Sequence, residues 1–199
     1  MRCGIALALC WALVGCAVFS GKEIPRVAFL HERLPEAARP SLAYRFSAKT
    51  AIGKRGGPQW TDKERRQLEE EFSVTVAGSG LVKSVVRSGR HSDIGVRLTM
   101  VSKVSQAAVA GLNLGWELRY ILPTWARERY EVTAVVGHRN GLQRTYTLTD
   151  SAVIVHWIPM LFLYPFNSER VFSKVRMNLY RKLLLEIHAD GFFQRVPTG

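Results

Sequence analysis

The sequence predicts an α+β fold, in which a mainly antiparallel sheet packs against one mid-chain helix and one long C-terminal helix as a two-layer sandwich. Three observations predict it. Several segments carry apolar residues at every second position, as strands do, and two others carry them at helical spacing. The dipeptide Asn140-Gly141 lies between two strand-like segments and supplies the positive φ that a tight hairpin requires. We therefore expect the order strand, helix, several strands and a final helix, in a single domain over residues 41–196.

The first strand is predicted over residues 42–49, where apolar and polar side chains alternate. Thr61 then provides an N-cap, and Glu64 follows three residues later, which is the capping-box pattern that opens a helix. We expect this helix to end at about residue 76 or 77. The run from Glu69 to Glu71 is expected to face solvent and not to form a catalytic pair, because adjacent helix positions point in different directions.

Further strands are predicted over residues 93–101 and 117–122, with a connection or a short helix over residues 102–114. The hairpin consists of predicted strands over residues 129–136 and 142–148. These segments supply the antiparallel part of the predicted sheet.

The C-terminal helix is predicted to begin after an N-cap at Asn167 or Ser168 and to end at Gly191. Phe192 and Phe193 are expected to pack back onto the domain or to add a short edge strand. One broad apolar face runs along the helix and consists of Val171, Phe172, Val175, Leu179, Leu183 and Ile187.

Residues 1–15 have the pattern of a signal peptide, because Arg2 precedes an apolar stretch that is too short to span a membrane. The stretch closes on Leu13-Val14-Gly15-Cys16, which resembles the lipobox of bacterial lipoproteins. The resemblance implies that Cys16 becomes the first residue of the mature chain and carries a diacylglycerol thioether and a further acyl chain such as palmitate. The alternatives are an ordinary secretory signal and an uncleaved N-terminal anchor helix.

Residues 16–40 contain three prolines and no sustained period, which predicts a lipidated tether between the membrane and the domain. Ala17 and Val18 follow the cysteine in place of the aspartate that retains lipoproteins at the inner membrane. The resemblance therefore implies the outer membrane, with the domain facing the periplasm. The other two cysteines, Cys3 and Cys10, lie within the proposed signal peptide, so no disulfide is expected.

The formal net charge of +12 admits two classes of partner, which are nucleic acid and an anionic membrane or cell-wall surface. The export signal and the lack of a basic-aromatic stacking platform argue against nucleic acid. The cations are scattered along the chain, which is typical of solvated faces. Their functional contribution would be attraction to lipid headgroups or to anionic polymers of the envelope.

An almost unbroken apolar run covers residues 152–166. Its two prolines and its short length argue against a spanning helix. Two interpretations stay open: a buried strand to about residue 157 followed by an apolar loop under the last helix, or a segment that enters the bilayer interface. The candidate residues for contact with a membrane or a partner are Trp157, Ile158, Leu161, Phe162, Tyr164 and Phe166.

The sequence shows no pattern that is typical of catalysis or of metal binding. The five histidines lack the spacing of a zinc site, and Ser79 does not lie in a Gly-x-Ser-x-Gly nucleophile elbow. We therefore predict no catalytic residue, no metal and no cofactor.

Residues 68–193 resemble an uncharacterised family of bacterial envelope lipoproteins. The motifs that carry the resemblance are the helix with its Ser79-Gly80-Leu81 ending, the hairpin over residues 130–150, Trp157-Ile158-Pro159, and the terminal helix that ends at Asp190-Gly191. More distantly, the helix before the Ser-Gly turn is similar to envelope proteins with the N-terminal fold of the Tol-system propeller protein and of the curli-secretion lipoprotein. The resemblance implies an envelope location and a fold class, and it brings no catalytic signature.

These observations predict a lipid-anchored envelope protein that acts without catalysis as an accessory or scaffold. Its predicted partners are a membrane, through the acyl chains, and a protein of the envelope. One alternative is an auxiliary or pore-forming subunit of an export system, in which several copies form a homo-oligomeric ring. Another is a hydrolase of the cell wall or of lipids, which would need His, Asp and Ser side chains in one pocket.

Overall fold

The computed structural model describes residues 16–28, 34–52, 55–88, 92–105, 124–139, 141–156 and 164–194. Within these ranges the chain forms one sheet and two α-helices, which confirms the predicted α+β class. The elements in chain order are β1 (Cys16–Ser20), β2 (Ser41–Ile52), β3 (Arg55–Gly56), α1 (Asp62–Gly78), β4 (Ser84–Arg87), β5 (Ile94–Val104), β6 (Thr124–His138), β7 (Gln143–His156) and α2 (Tyr164–Ala189).

The sheet has the strand order β1-β7-β6-β5-β2-β3, and β4 pairs with β2 beside this path. Four of the described pairings are antiparallel, whereas β2 runs parallel to both β4 and β5. The parallel pairs follow from α1, because a helical crossover returns the chain to the edge at which β2 began. The β6-β7 hairpin extends further from its turn than predicted, because β6 begins at Thr124 and not at residue 129, and β7 ends at His156 and not at residue 148.

Both helices pack against the same face of the sheet. Leu68, Phe72 and Val76 of α1 lie against alternate strand residues, and the Phe72 ring contacts Tyr44 edge-on, with 5.3 Å between the ring centroids. Leu179 and Leu183 of α2 are fully buried. Phe192 and Phe193 pack back into this core as predicted. Among the described residues no helix covers the opposite face of the sheet, which we call the open face.

The capping box of α1 is confirmed, since the Thr61 hydroxyl accepts from the Glu64 backbone and the Glu64 carboxylate accepts from the Thr61 backbone. The start predicted for α2 is wrong, because the helix begins at Tyr164 and not after Asn167 or Ser168. Pro165 then lies in the first turn, where its missing N–H has no helical partner to lose.

The predicted tether differs from the structure at its beginning. Cys16–Ser20 form the edge strand β1, which pairs with the end of β7, and Val18 is buried in the core. The end of β7 offers unpaired backbone groups to an incoming strand, which explains why this segment is ordered. The predicted strand over residues 117–122 lies outside the described residues, and residues 102–104 belong to β5.

Candidate functional site

The predicted lipidation residue lies at the meeting point of three strand ends. Cys16 is the first residue of β1 and pairs with His156, the last residue of β7. His156 also pairs with Thr124, the first residue of β6. An acyl chain on Cys16 would therefore leave the domain directly from this end of the sheet, which we call the Cys16 end.

The predicted apolar contact residues fall mostly outside the described part of the chain. The residues outside the described part are Trp157, Ile158, Leu161 and Phe162. Tyr164 and Phe166 belong to the first turn of α2. The predicted strand is confirmed as far as His156, because β7 extends to that residue, but Val153 and Val155 are only partly buried. Since His156 pairs with Cys16, the apolar run begins beside the predicted lipidation residue. Its contact with a membrane or a partner stays a prediction.

The structure also places exposed apolar side chains at the Cys16 end that the sequence analysis missed. Trp125 of β6 is 72% exposed and Phe19 of β1 is 41% exposed. Trp125 pairs with Val155, and Phe19 pairs with Val153, so all four residues share the open face of the sheet. Trp125 stands two positions before Arg127, and extending the strand period back from Arg129 would have found it.

The open face is also strongly basic in its described part. It carries exposed cations on the three neighbouring strands β2, β5 and β6, and the carboxylate of Glu131 on this face forms an ion pair with Lys103. A second carboxylate, that of Glu23, approaches Arg129 to 3.9 Å. The cations of this face are Arg45, Lys49, Arg97, Lys103, Arg127 and Arg129.

A set of hydrogen bonds, which we call the N-terminal clasp, holds the segment after β1 against the domain. The buried Asp150 carboxylate accepts from the Glu23 backbone N–H at 3.2 Å, and the Ser151 hydroxyl donates to the Glu23 carboxylate at 2.8 Å. On α2, the Asn178 side chain accepts from the Val27 N–H at 2.8 Å. Burial raises the pKa of Asp150, and the nearby charge of Glu23 adds to this effect.

We expect Asp150→Ala to open the N-terminal clasp and to lower the free energy of unfolding by about 1–3 kcal/mol, because buried backbone donors lose their acceptor. Amide hydrogen exchange at residues 23–27 and urea denaturation measure this effect. Asp150→Asn keeps an acceptor oxygen at the same position and should lose less. Equal protection of these amides in Asp150→Ala and in the original protein would contradict the assignment.

A buried polar network links the two helices to the sheet, and this corrects the prediction of a solvated acidic run. The Arg176 guanidinium donates two hydrogen bonds of 2.7 Å to the Glu71 carboxylate, and it lies over the Tyr130 ring at 5.8 Å. Glu69 is also buried, whereas Glu70 is exposed as predicted. Glu71 and Glu69 lose their exposure because neighbouring elements pack beside α1, and the helical pattern of α1 alone does not show those neighbours.

The network favours a structural role over acid–base chemistry. Burial lowers the pKa of Arg176, but the hydrogen bonds and charge of Glu71 outweigh this effect and raise it above the usual value. Burial also raises the pKa of Tyr130 and of Tyr180, which moves the ionisation of both phenols further from neutral pH. Within the described ranges, no group of three or more His, Cys, Asp or Glu side chains is arranged to hold a metal ion. Neither described helix is long and apolar enough to cross a membrane.

No protein-family model and no curated protein matches the sequence. Among solved structures, the chain is similar to a minor lipoprotein from Acinetobacter baumannii, with 18% identity over 76% of this chain and 90% of that one and a TM-score of 0.34. It is also similar to a protein from Helicobacter pylori described as a neuraminyllactose-binding hemagglutinin homolog, with 8% identity over 84% and 94% of the two chains and a TM-score of 0.43.

A third similar structure is a dodecamer of a PelC variant from Paraburkholderia phytofirmans, with 12% identity over 92% of this chain and 98% of that one and a TM-score of 0.31. None of the three is described as a Tol-system propeller protein, so that part of the resemblance stays a prediction. At TM-scores this low the similarities assign no function. One of the three similar structures is described as a lipoprotein.

Proposed function

We propose that this protein is a lipid-anchored accessory or scaffold of the bacterial cell envelope, which acts by binding a protein or a membrane surface and not by catalysis. Its anchor is the acylated Cys16, and its place is the outer membrane with the domain in the periplasm. The observation that carries the proposal is the lipobox-like motif that ends at Cys16, together with the position of Cys16 as the first residue of a strand of the domain.

The strength of such an anchor follows from its acyl chains. Each buried methylene contributes about 0.8 kcal/mol, and one chain alone gives only marginal binding, whereas two or more hold a protein stably. The diacylglycerol and the additional amide-linked chain that a lipobox implies meet this requirement. Because Cys16 already belongs to β1, no spacer separates the acyl chains from the sheet.

The binding role is supported by the surface of the domain. Exposed aromatic side chains and exposed cations are the features that contact surfaces use, and here both occur on the open face of the sheet.

Intact-protein mass and membrane fractionation of the protein and of Cys16→Ala, expressed in a Gram-negative host, test the anchor. We expect the mass of the original protein to correspond to residues 16–199 plus acyl groups, with the protein in the outer-membrane fraction. Cys16→Ala should lose the acyl mass, while Cys10→Ala serves as the matched control and should keep it. A soluble protein without acyl mass would overturn the proposal.

A further inference from the structure

We propose that the open face of the sheet at the Cys16 end is a second membrane contact, which rests on an anionic phospholipid surface beside the acyl anchor. The contact consists of Phe19, Trp125, Val153 and Val155, with Arg127 and Arg129 beside them. The proposal deepens the proposed function, since it rests on the anchor at Cys16 and assigns the orientation in which the anchored domain lies.

The apolar part of this contact is continuous. Trp125 and Arg127 lie on β6, Val153 and Val155 lie opposite them on β7, and Phe19 lies opposite Val153 on β1. Directly opposed residues have Cβ atoms about 4.5–5.5 Å apart, so these side chains form one patch. The patch contains two large exposed apolar side chains, Trp125 (72% exposed) and Phe19 (41% exposed). Tryptophan is the residue type that the bilayer interface favours.

The distance from the anchor brings this patch to the membrane. Phe19 is three residues from Cys16 along a strand, which corresponds to about 10 Å at the rise of a strand. The pairing partner of Trp125 is Val155, which adjoins His156, the partner of Cys16. An acylated Cys16 therefore holds the patch within reach of the headgroups without any rearrangement of the sheet.

The charge of the open face identifies the lipid as anionic. Arg127 and Arg129 lie on the same face as Trp125 and are exposed, and Lys103 lies opposite Arg129 on β5. Each such cation near an anionic bilayer contributes attraction, whereas a neutral surface offers none. The Arg129–Glu23 contact is long and solvent-exposed, so it does little to neutralise this charge.

Site-specific fluorescence on the lipidated protein tests this orientation. The lipidated mature chain would have no free thiol, so Phe19→Cys accepts one environment-sensitive label at the patch. Leu142→Cys is the matched control, because Leu142 is also an exposed apolar residue and lies at the hairpin turn, at the opposite end of the sheet. Each protein is reconstituted into vesicles of phosphatidylcholine, or of equimolar phosphatidylcholine and phosphatidylglycerol, with headgroup-level spin-labelled lipid as the quencher.

We expect the label at position 19 to be quenched in the anionic vesicles and the label at position 142 to stay unquenched in both. In the phosphatidylglycerol vesicles, Arg127→Gln and Arg129→Gln should each lower the ratio of quenched to unquenched label at position 19 roughly fivefold. Arg139→Gln, which removes an exposed arginine at the hairpin, should leave the ratio unchanged. Circular dichroism of each variant checks that the sheet has formed.

Three results would overturn the proposal. One is a label at position 19 that stays unquenched in acylated protein, and another is quenching that is equal in both vesicles and insensitive to the arginine substitutions. The third is self-quenching between labels in detergent without vesicles, which would identify a second copy of the chain as the occupant. Failure of the anchor is distinguishable, because it shows in the intact mass, whereas failure of the patch leaves the acyl mass in place.

Discussion

Arg176→Met is expected to lower the free energy of unfolding by about 3–5 kcal/mol, because it leaves the Glu71 carboxylate buried without its partner. The guanidinium and the carboxylate are about nine-tenths buried and share two hydrogen bonds of 2.7 Å. Without the Arg176 guanidinium, the Glu71 carboxylate stays removed from water and has no opposite charge to offset the cost of its burial. Urea denaturation followed by circular dichroism measures the change.

The exposed pair between Arg65 and Asp62 provides the matched control, because its N···O distance is also 2.7 Å. Arg65→Met should change the free energy of unfolding by no more than about 1 kcal/mol, since water screens an exposed pair. The double variant Arg176→Met with Glu71→Met should recover much of the stability, because no buried charge is then left. A loss below about 1 kcal/mol for Arg176→Met alone would show that the pair does not govern the packing of α2 on α1.

Phe72→Ala is expected to cost about 3–5 kcal/mol, which is the usual range for a buried aromatic side chain that leaves a cavity. Phe72 is 1% exposed, and its ring contacts those of Tyr44 and Tyr180 edge-on at 5.3 and 5.4 Å. It therefore joins α1 to the sheet and to α2. The same urea titration measures the loss.

Val74→Ala controls for the helix itself, because Val74 lies on the opposite side of α1 and is 57% exposed. This substitution should leave the stability nearly unchanged or raise it slightly, since alanine is the better helix former. Similar losses for Phe72→Ala and Val74→Ala would contradict the assignment of Phe72 to the core.

The sequence was sufficient for the features that depend on local patterns. Thr61 and Glu64 form the predicted capping box, and Asn140-Gly141 separates the two strands of the longest hairpin. In each case the residues that specify the element lie within a few positions of one another, so the physics is visible in one short window. The α+β class follows from the order of such elements.

Two of the features that the sequence did not reveal depend on distant partners, whereas Trp125 was missed at the boundary of a predicted strand. Glu71 is buried because Arg176 reaches it from the other helix, and β1 is ordered because β7 pairs with it from the far part of the chain. Trp125 was missed because the predicted strand began at Arg129 and therefore stopped short of it. The contacts of Glu71 and of β1 have no short-range signature, since each joins segments that only the finished topology brings together.

The pairing of β1 with β7 also sets the order in which the protein assembles. A chain is synthesised from its N-terminus, so β1 exists long before residues 143–156 do. The strand must wait as an unpaired segment, and the entropy of closing so large a loop makes its docking a late and slow step. Among the described strand pairs, β1 with β7 spans the longest stretch of chain, so Cys16 lies on the strand whose docking costs the most loop entropy.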